Sequence, residues 1–276
     1  MDAAKAARCR PGFARGHAAR ADGRRRAART EAPAQTARRA AAQARSRQGR
    51  RRNAVSGVER PGPRALKERL KSTKKRTKSS KAWLERQLND PYVRAAKTAG
   101  YRSRAAFKLK EMDDKHHFLK RGHSAVDLGA APGGWTQVLV ERLGEGRVVG
   151  VDIQEMEPIK GAILMHLDFM DAAAPEAIKR ALAGPVDTVL SDMASPATGH
   201  RETDHLRVMA LCETALDFAV EVLKPGGAFL CKVLRGGTER GLLETLKKRF
   251  AKVVHVKPPA SRADSAEMYV LATGFR

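Results

Sequence analysis

The run Val126-Asp127-Leu128-Gly129-Ala130-Ala131-Pro132-Gly133-Gly134-Trp135 constrains this chain more than any other stretch. It starts within a short apolar segment, Ser124 to Leu128, which has the length and β-branched character of a buried strand. Three glycines and a proline then fall within six residues, and Thr136 to Leu143 follows with the spacing of an amphipathic helix. Strand, glycine turn and helix in that order open an α/β unit of the nucleotide-binding kind. Glycine suits the turn because a Cβ would hold the backbone away from a ligand lying over the strand end. The turn lacks the Gly-Lys-Ser/Thr of a phosphate-gripping loop and the Gly-x-Gly-x-x-Gly of a dinucleotide site. A tight strand-to-helix connection without a ligand is the plain alternative.

The segments that follow repeat the pattern. Arg147 to Asp152 reads as a second buried strand ending in an acid, 17 residues beyond Trp135. A carboxylate at that place can accept from both hydroxyls of a ribose, and its pairing with the glycine turn weakens the reading of a simple turn aspartate. Ala162 to Leu167 gives a third strand with Asp168 directly after it, and Val186 to Ser191 a fourth with Asp192 after it. Helices are expected over 174–182, 204–223 and 238–250. Lys224 to Gly227 reads as a turn, and further strands are expected over 228–234, 253–256 and 267–273, the last pairing antiparallel with its neighbour. Strands alternating with helices predict a doubly wound α/β sheet. Pro132, Asp152, Asp168 and Asp192 would then share the carboxyl edge, where open sheets bind their ligands.

Charge divides the chain in two. The formal charge is +24 over 276 residues, and residues 1–80 hold about 25 Lys and Arg against about 5 Asp and Glu. The rest is close to balance. An imbalance of this kind points to a polyanionic partner, most often nucleic acid, with a merely non-specific basic extension as the alternative. Residues 1–60 are rich in Ala, Arg, Gln and Gly and poor in apolar periodicity, so residues 1–79 are expected to be a disordered extension and linker. The folded domain is expected over 80–276, a length that can bury a full core. Trp83, Leu84 and Leu88 suggest a short helix closed by Asn89-Asp90-Pro91. A second helix carries Ala106, Phe107, Leu109 and Met112 on its apolar stripe, with Ser103 as its expected N-cap. Its Arg102, Arg104 and Lys108 would lie near the glycine turn, or else form a solvated basic face.

Cys9, Cys212 and Cys231 share no metal-ligand spacing, and two of them sit in apolar segments, which suits reduced thiols of a cytosolic compartment. No metal is expected. No apolar run approaches a membrane span, and there is no signal-peptide apolar region. A cytoplasmic protein without a membrane partner is therefore expected. The Arg-rich start admits an organellar transit peptide, against which stand its few serines and Asp2, Asp22 and Glu31.

Four polar residues fit a purely structural role poorly. Lys232 lies inside the apolar segment Phe229-Leu230-Cys231-Lys232-Val233-Leu234, where a lysine is costly unless paired. Asp192 follows a strand, Lys108 lies on the early helix and Glu267 opens the last strand. A structural ion-pair network is the alternative to a reactive site.

From about Ser80 to Arg276 the sequence resembles the RrmJ/FtsJ (RlmE) family of ribosomal RNA large-subunit methyltransferases. The resemblance is carried by Ser103-Arg104-Ala105-Ala106-Phe107-Lys108-Leu109, by Asp127 through Trp135, and by Ser191-Asp192-Met193-Ala194. Lys232-Val233, Ser261-Arg262 and Glu267-Met268-Tyr269-Val270 complete it. The resemblance implies a Rossmann-like fold with a seven-stranded, mostly parallel sheet and helices on both faces. It implies methyl transfer from S-adenosylmethionine to the ribose 2′-hydroxyl of a uridine in large-subunit ribosomal RNA, as naked RNA or within the assembled subunit. It implies a catalytic tetrad at Lys108, Asp192, Lys232 and Glu267, and cofactor contacts at Gly133, Trp135, Asp152, Asp168 and Asp192. Lys232 would be the base, and a lysine is neutral near pH 7 only if burial or a nearby cation such as Lys108 favours that form. A monomer is expected.

Two departures concern loops that would face the target. Met193-Ala194 is followed by Ser195-Pro196 where the family has Pro-Asn, and Lys232 by Val233-Leu234-Arg235-Gly236 where the family more often has Phe-Gln-Gly. A transfer-RNA 2′-O-methyltransferase and a non-catalytic RNA-binding assembly protein are the competing expectations, since basic charge alone does not specify an RNA.

Overall fold

The computed structural model describes residues 77–196, 198–235 and 240–276. The expected extension therefore lies outside the described residues up to Arg76, as do the first two residues of the helix expected over 238–250. Described residues begin with α1, Lys78–Leu88, capped by the Thr77 hydroxyl, which accepts from the Ser80 N–H. Asn89 closes it, as expected. The next two residues do more than stop a helix. Asp90 caps a second helix, α2 (Pro91–Thr98), by accepting from the Tyr92 N–H, and Pro91 takes the first helical position, where its missing N–H costs nothing.

The order then runs α3 (Ala105–His116), β1 (Ala125–Leu128), α4 (Gly134–Leu143), β2 (Val148–Asp152) and β3 (Ala162–His166). It continues α5 (Ala174–Leu182), β4 (Val186–Ser191), α6 (Arg201–Val222), β5 (Leu223–Leu234), α7 (Arg240–Arg249), β6 (Phe250–Val256) and β7 (Glu267–Phe275). The seven strands form one sheet in the order β3-β2-β1-β4-β5-β7-β6. Only β7 runs against its neighbours, inserted antiparallel between β5 and β6. The expected fold class is borne out. The expected turn at Lys224 to Gly227 is part of β5, because the β4–β5 register shifts there, pairing Val186 with Leu223 and then Thr188 with Ala228.

Strand alternation divides the core between the two faces. Val126, Val149, Val189, Phe229 and Val270 point to a cluster shared with Ile178 of α5, Cys212 of α6 and Leu246 of α7. Ala125, Val148, Leu190, Leu230 and Leu271 point the other way, toward Leu109 and Met112 of α3 and Leu139 of α4. Each Leu- or Val-sized side chain removed from water in this way stabilises by about 1.5–3 kcal/mol. Among the described residues no helix is long and apolar enough to cross a membrane.

Candidate active site

Side-chain alternation along two neighbouring strands assembles the site. On β5, Ala228 and Leu230 face α3 and α4, so Lys232, two residues on, faces the same way. On β7 the same face carries Leu271, Tyr269 and Glu267, and the register sets Lys232 directly opposite Tyr269. A slip of one residue would turn all of these side chains to the other face. Lys108 reaches them from the buried side of α3, which holds Ala106, Lys108, Leu109 and Met112. Phe107, expected on that stripe, is half-buried instead, between the rings of Tyr92 and Tyr101 at 5.6 and 5.8 Å.

The structure brings the four expected catalytic residues together. Lys232 Nζ lies 3.1 Å from Asp192 Oδ1 and donates to the Asp192 carbonyl at 2.6 Å. Lys108 Nζ pairs with Glu267 Oε2 at 2.8 Å. Tyr269 joins the two pairs: its hydroxyl accepts from Lys108 Nζ at 3.3 Å and donates to Asp192 Oδ1 at 3.0 Å. Both lysines are buried, at 9 and 7 % exposure. Sequence reasoning left Tyr269 without a role, because a tyrosine in an apolar strand looks like core. Its place in the motif Glu267-Met268-Tyr269-Val270 was the available signal.

Charge is fixed by these contacts. Burial alone would raise the Glu267 carboxyl, but the Lys108 charge and hydrogen bond, helped by Lys232, hold it below the ordinary range. Burial, followed by the negative charges of Asp192 and Glu267, pushes the Tyr269 phenol well up, so it remains a donor. Asp127 on β1 is fully buried. Its Oδ2 accepts from the Thr136 hydroxyl at 2.7 Å, and Oδ1 has no partner among the described residues. Burial, opposed by the Thr136 bond and reinforced by Asp192 and Asp152, pushes it up to about 7.

Two cavities open at the carboxyl edge. One, of about 500 Å³, is lined by Ser103, Arg104, Lys108, Trp135, Arg262 and Glu267 among others. The other, of about 480 Å³, is lined by Asp152, Ile153, Asp168, Met170, Met193 and Arg207 among others. Gly129, Ala131 and Asp192 belong to both walls. Gly129, at φ +79°, is required at this crossing: a Cβ there would lie 2.8 Å from the Met193 backbone. Asp152 is fixed by the Ala131 and Gln154 N–H groups, each at 2.8 Å, and Asp168 by the Met170 N–H at 2.9 Å.

Asp152, Asp168 and Asp192 thus share one cavity, whereas Trp135 lines the other, with its Nε1 donating to the Ala105 carbonyl at 2.8 Å. Gly133 lines neither. It sits just before α4 at φ +108°, where a Cβ would meet Ile159 at 2.6 Å. The Arg102 guanidinium does reach the glycine turn, donating to Pro132 O at 3.3 Å and to Glu157 O at 2.7 Å. Arg104 binds Asp90 and the Ala260 carbonyl. Ser103 is not the N-cap of α3. The cap position falls on Arg104 without a side-chain bond, and the Ser103 hydroxyl is buried against Gly134, 2.3 Å from where a Cβ would stand, without a partner of its own.

A sheet of order 3-2-1-4-5-7-6 with its ligand cavity over the β1 and β2 ends and polar side chains grouped beside it defines a Rossmann-like methyltransferase. The chain belongs to the FtsJ-like methyltransferase family, whose pattern matches residues 101–275. It is 60% identical over 226 residues, 78% of this chain and 89% of the other, to Ribosomal RNA large subunit methyltransferase E of Parvibaculum lavamentivorans. To the protein of the same name from Paramagnetospirillum magneticum it is 58% identical over 221 residues, covering 78% of this chain and 91% of the other. A solved structure from Plasmodium falciparum, described as a ribosomal RNA methyltransferase, is similar at TM-score 0.57 and 31% identity, over 63% of this chain and 98% of that one.

Enzymes of this family take their methyl group from S-adenosylmethionine. The second cavity fits that molecule in size, which falls within the roughly 300–1,000 Å³ of small-molecule sites. It also fits in chemistry. Two acids suit the hydroxyls and amine of an adenosine, and exposed Ile153 and Met170 suit its apolar ring.

Proposed function

We propose that this chain transfers a methyl group from S-adenosylmethionine to the ribose 2′-hydroxyl of a uridine in large-subunit ribosomal RNA. The observation that supports this most directly is that Asp192 lines both cavities while holding the buried Lys232. One cavity takes the donor and the other the target ribose, and the reacting atoms meet at Asp192. The names of the Parvibaculum and Paramagnetospirillum relatives, 60 and 58% identical, support the choice of RNA.

Each residue then has a task. A ribose hydroxyl is a weak nucleophile, so a base must remove its proton as it attacks. Lys232 is that base, with Asp192 fixing its nitrogen through both carboxylate and carbonyl. Tyr269 couples Asp192 to Lys108, and Glu267 holds Lys108 in place. Bound in the second cavity, S-adenosylmethionine supplies an electrophilic methyl on a sulfonium. Asp152 keeps lone pairs free for the ribose of the donor, and Asp168 keeps one oxygen free for the adenine amine. Gly133 and Trp135 do not line that cavity and stand at the start of α4, beside the glycine turn. Much of the acceleration comes from holding hydroxyl and methyl in line, which can supply about 7–11 kcal/mol.

The test is transfer of labelled methyl from S-adenosylmethionine to isolated large ribosomal subunits, with wild type and Lys232→Ala. Label on a ribose 2′-oxygen with wild type, lost with the variant, is the expected result. Label that persists in the variant removes Lys232 as the base. Label on transfer RNA but not on subunits transfers the substrate to that rival, and tight RNA binding without label replaces the enzyme with an assembly role.

A further inference from the structure

At the opposite edge of the sheet lies a third cavity, of about 450 Å³, that the reaction does not use. Its wall is built from His116 at the end of α3, His117, Lys120 and His123 of the α3–β1 connection, Asp187 at the start of β4, and Thr273 of β7. Asp187 is the wall's one acid among the described residues, and it is already neutralised. It accepts from Lys224 Nζ at 2.8 Å and from the Ser124 N–H at 2.9 Å, and His123 stands 3.9 Å away. Burial would raise its carboxyl, but these partners hold it below the ordinary range.

The remaining basic side chains have no such partner among the described residues. Among the described residues no carboxylate lies within ion-pair distance of His117, of exposed Lys120, or of exposed Lys252, which pairs with Thr273 across β6 and β7 at the rim. His116 Nε2 and His123 Nδ1 are buried without a hydrogen-bond partner among the described residues. Burial, then Lys115, Lys252 and His117, hold the His116 imidazole below its ordinary value, so the lysines carry the positive charge of this edge. The basic character continues beyond the cavity, since Lys247, Lys248 and Arg249 end α7 at this same edge. A folded protein that groups like charges without counter-ions is set up to receive an anion from outside.

We infer that this edge is a second RNA-phosphate site, gripping a segment of the substrate RNA remote from the methylated ribose. The inference rests on the RNA substrate proposed above. Asp187, near the start of β4, and Asp192, just past its end, are five residue steps apart, about 16 Å at roughly 3.3 Å per residue, with the buried sheet between them. The nucleotide whose ribose reaches Asp192 therefore cannot also fill this cavity. The spread of cations around the cavity suits a polymer of phosphates, and the imidazoles inside suit a single phosphate oxygen reaching in. Such a site would favour a large folded RNA over a short one carrying the same target.

The experiment uses the full chain and its Lys120→Glu/Lys252→Glu variant, with methyl transfer to isolated large subunits followed over a range of salt. Expected for the variant is a rise in KM for the subunit of about tenfold, with kcat unchanged within about twofold. Its plot of log KM against log salt should be shallower by about 1.4–1.8, from roughly 0.7–0.9 for each phosphate no longer neutralised. A Lys120→Gln/Lys252→Gln variant, which adds no repulsion, should show the same change in slope. Equal KM and slope in all three proteins would overturn the site. If the wild type transfers no methyl to RNA, the proposed function fails separately. Filter retention of large-subunit RNA then still decides the question: weaker, less salt-sensitive retention by the variants supports the second site, and equal retention removes it.

Discussion

The two edges of the sheet use the same residue in opposite ways. At the carboxyl edge Lys108 and Lys232 are buried and each is held by an acid at 2.8 and 3.1 Å. At the other edge Lys120 and Lys252 are exposed and face no acid within ion-pair distance among the described residues. A buried pair loses hydration and regains it as fixed geometry, which serves a reaction that needs one nitrogen in one place. An exposed, unpaired lysine keeps its hydration and its reach, which serves affinity for a polyanion and little else. Net charge does not distinguish the two uses. Pairing and burial do.

The most severe challenge to this contrast is Lys108→Ala. Lys108 is paired and buried, so its loss should lower kcat by about 10²–10³, the range for removing one fixed donor from an active site. The salt dependence of KM for the subunit should stay that of wild type, because a lysine already neutralised by Glu267 has no phosphate to release. Steady-state kinetics at three salt concentrations decide it. A flatter salt slope with kcat intact would mean that both edges act by charge alone, and the distinction would collapse.

How far the sequence could reveal this contrast differs between the edges. The carboxyl edge was legible where its residues break a local pattern, which Tyr269 does not. Lys232 interrupts an apolar strand, and Asp152, Asp168 and Asp192 each follow one. The strands themselves announced the sheet through short apolar runs between glycine-rich and polar turns. The opposite edge broke no pattern. His116 at a helix end, His123 in a connection, Asp187 near a strand start and Thr273 near a strand end are each ordinary, and only the fold brings 116–123, 187 and 273 into one wall. Local ambiguity hid two further features. Asp90-Pro91 ends α1 and begins α2 with the same chemistry, and Lys224 to Gly227 has turn composition although it lies in a register shift of β5.

Tyr269 refines the contrast at the paired edge, because its hydroxyl bridges the Lys108 and Asp192 pairs. Tyr269→Phe keeps the ring against Trp135, 5.5 Å between centroids, and deletes only the hydroxyl. Losing a hydrogen bond to a charged group is worth about 1.5–3 kcal/mol, so single-turnover methyl transfer should slow by about 10- to 150-fold. Lys120→Gln measured alongside should leave that rate unchanged. A Tyr269→Phe rate equal to wild type would show that the two pairs work independently.

A weaker effect concerns a fully buried carboxyl of the paired edge that no cation holds. Asp127 is held at about 7, chiefly by burial, against an ordinary value near 3.8, with the Thr136 bond opposing and Asp192 and Asp152 adding. Between about pH 4 and 7 the folded chain keeps a proton that the unfolded chain has released. Stability from this group is therefore complete at low pH and is lost as pH rises through that window. The paired Glu267, held below its ordinary range by Lys108, behaves the other way, since its contribution is lost as pH falls. Asp127→Asn preserves an acceptor for Thr136 and cannot ionise. Its Tm should thus fall less than that of wild type between pH 5 and 8, by on the order of 5 °C, given roughly 2–4 °C per kcal/mol for a domain of this size. Parallel Tm curves for the two proteins would mean that Asp127 is ionised throughout, stabilised by a group that its orphan oxygen meets in solution.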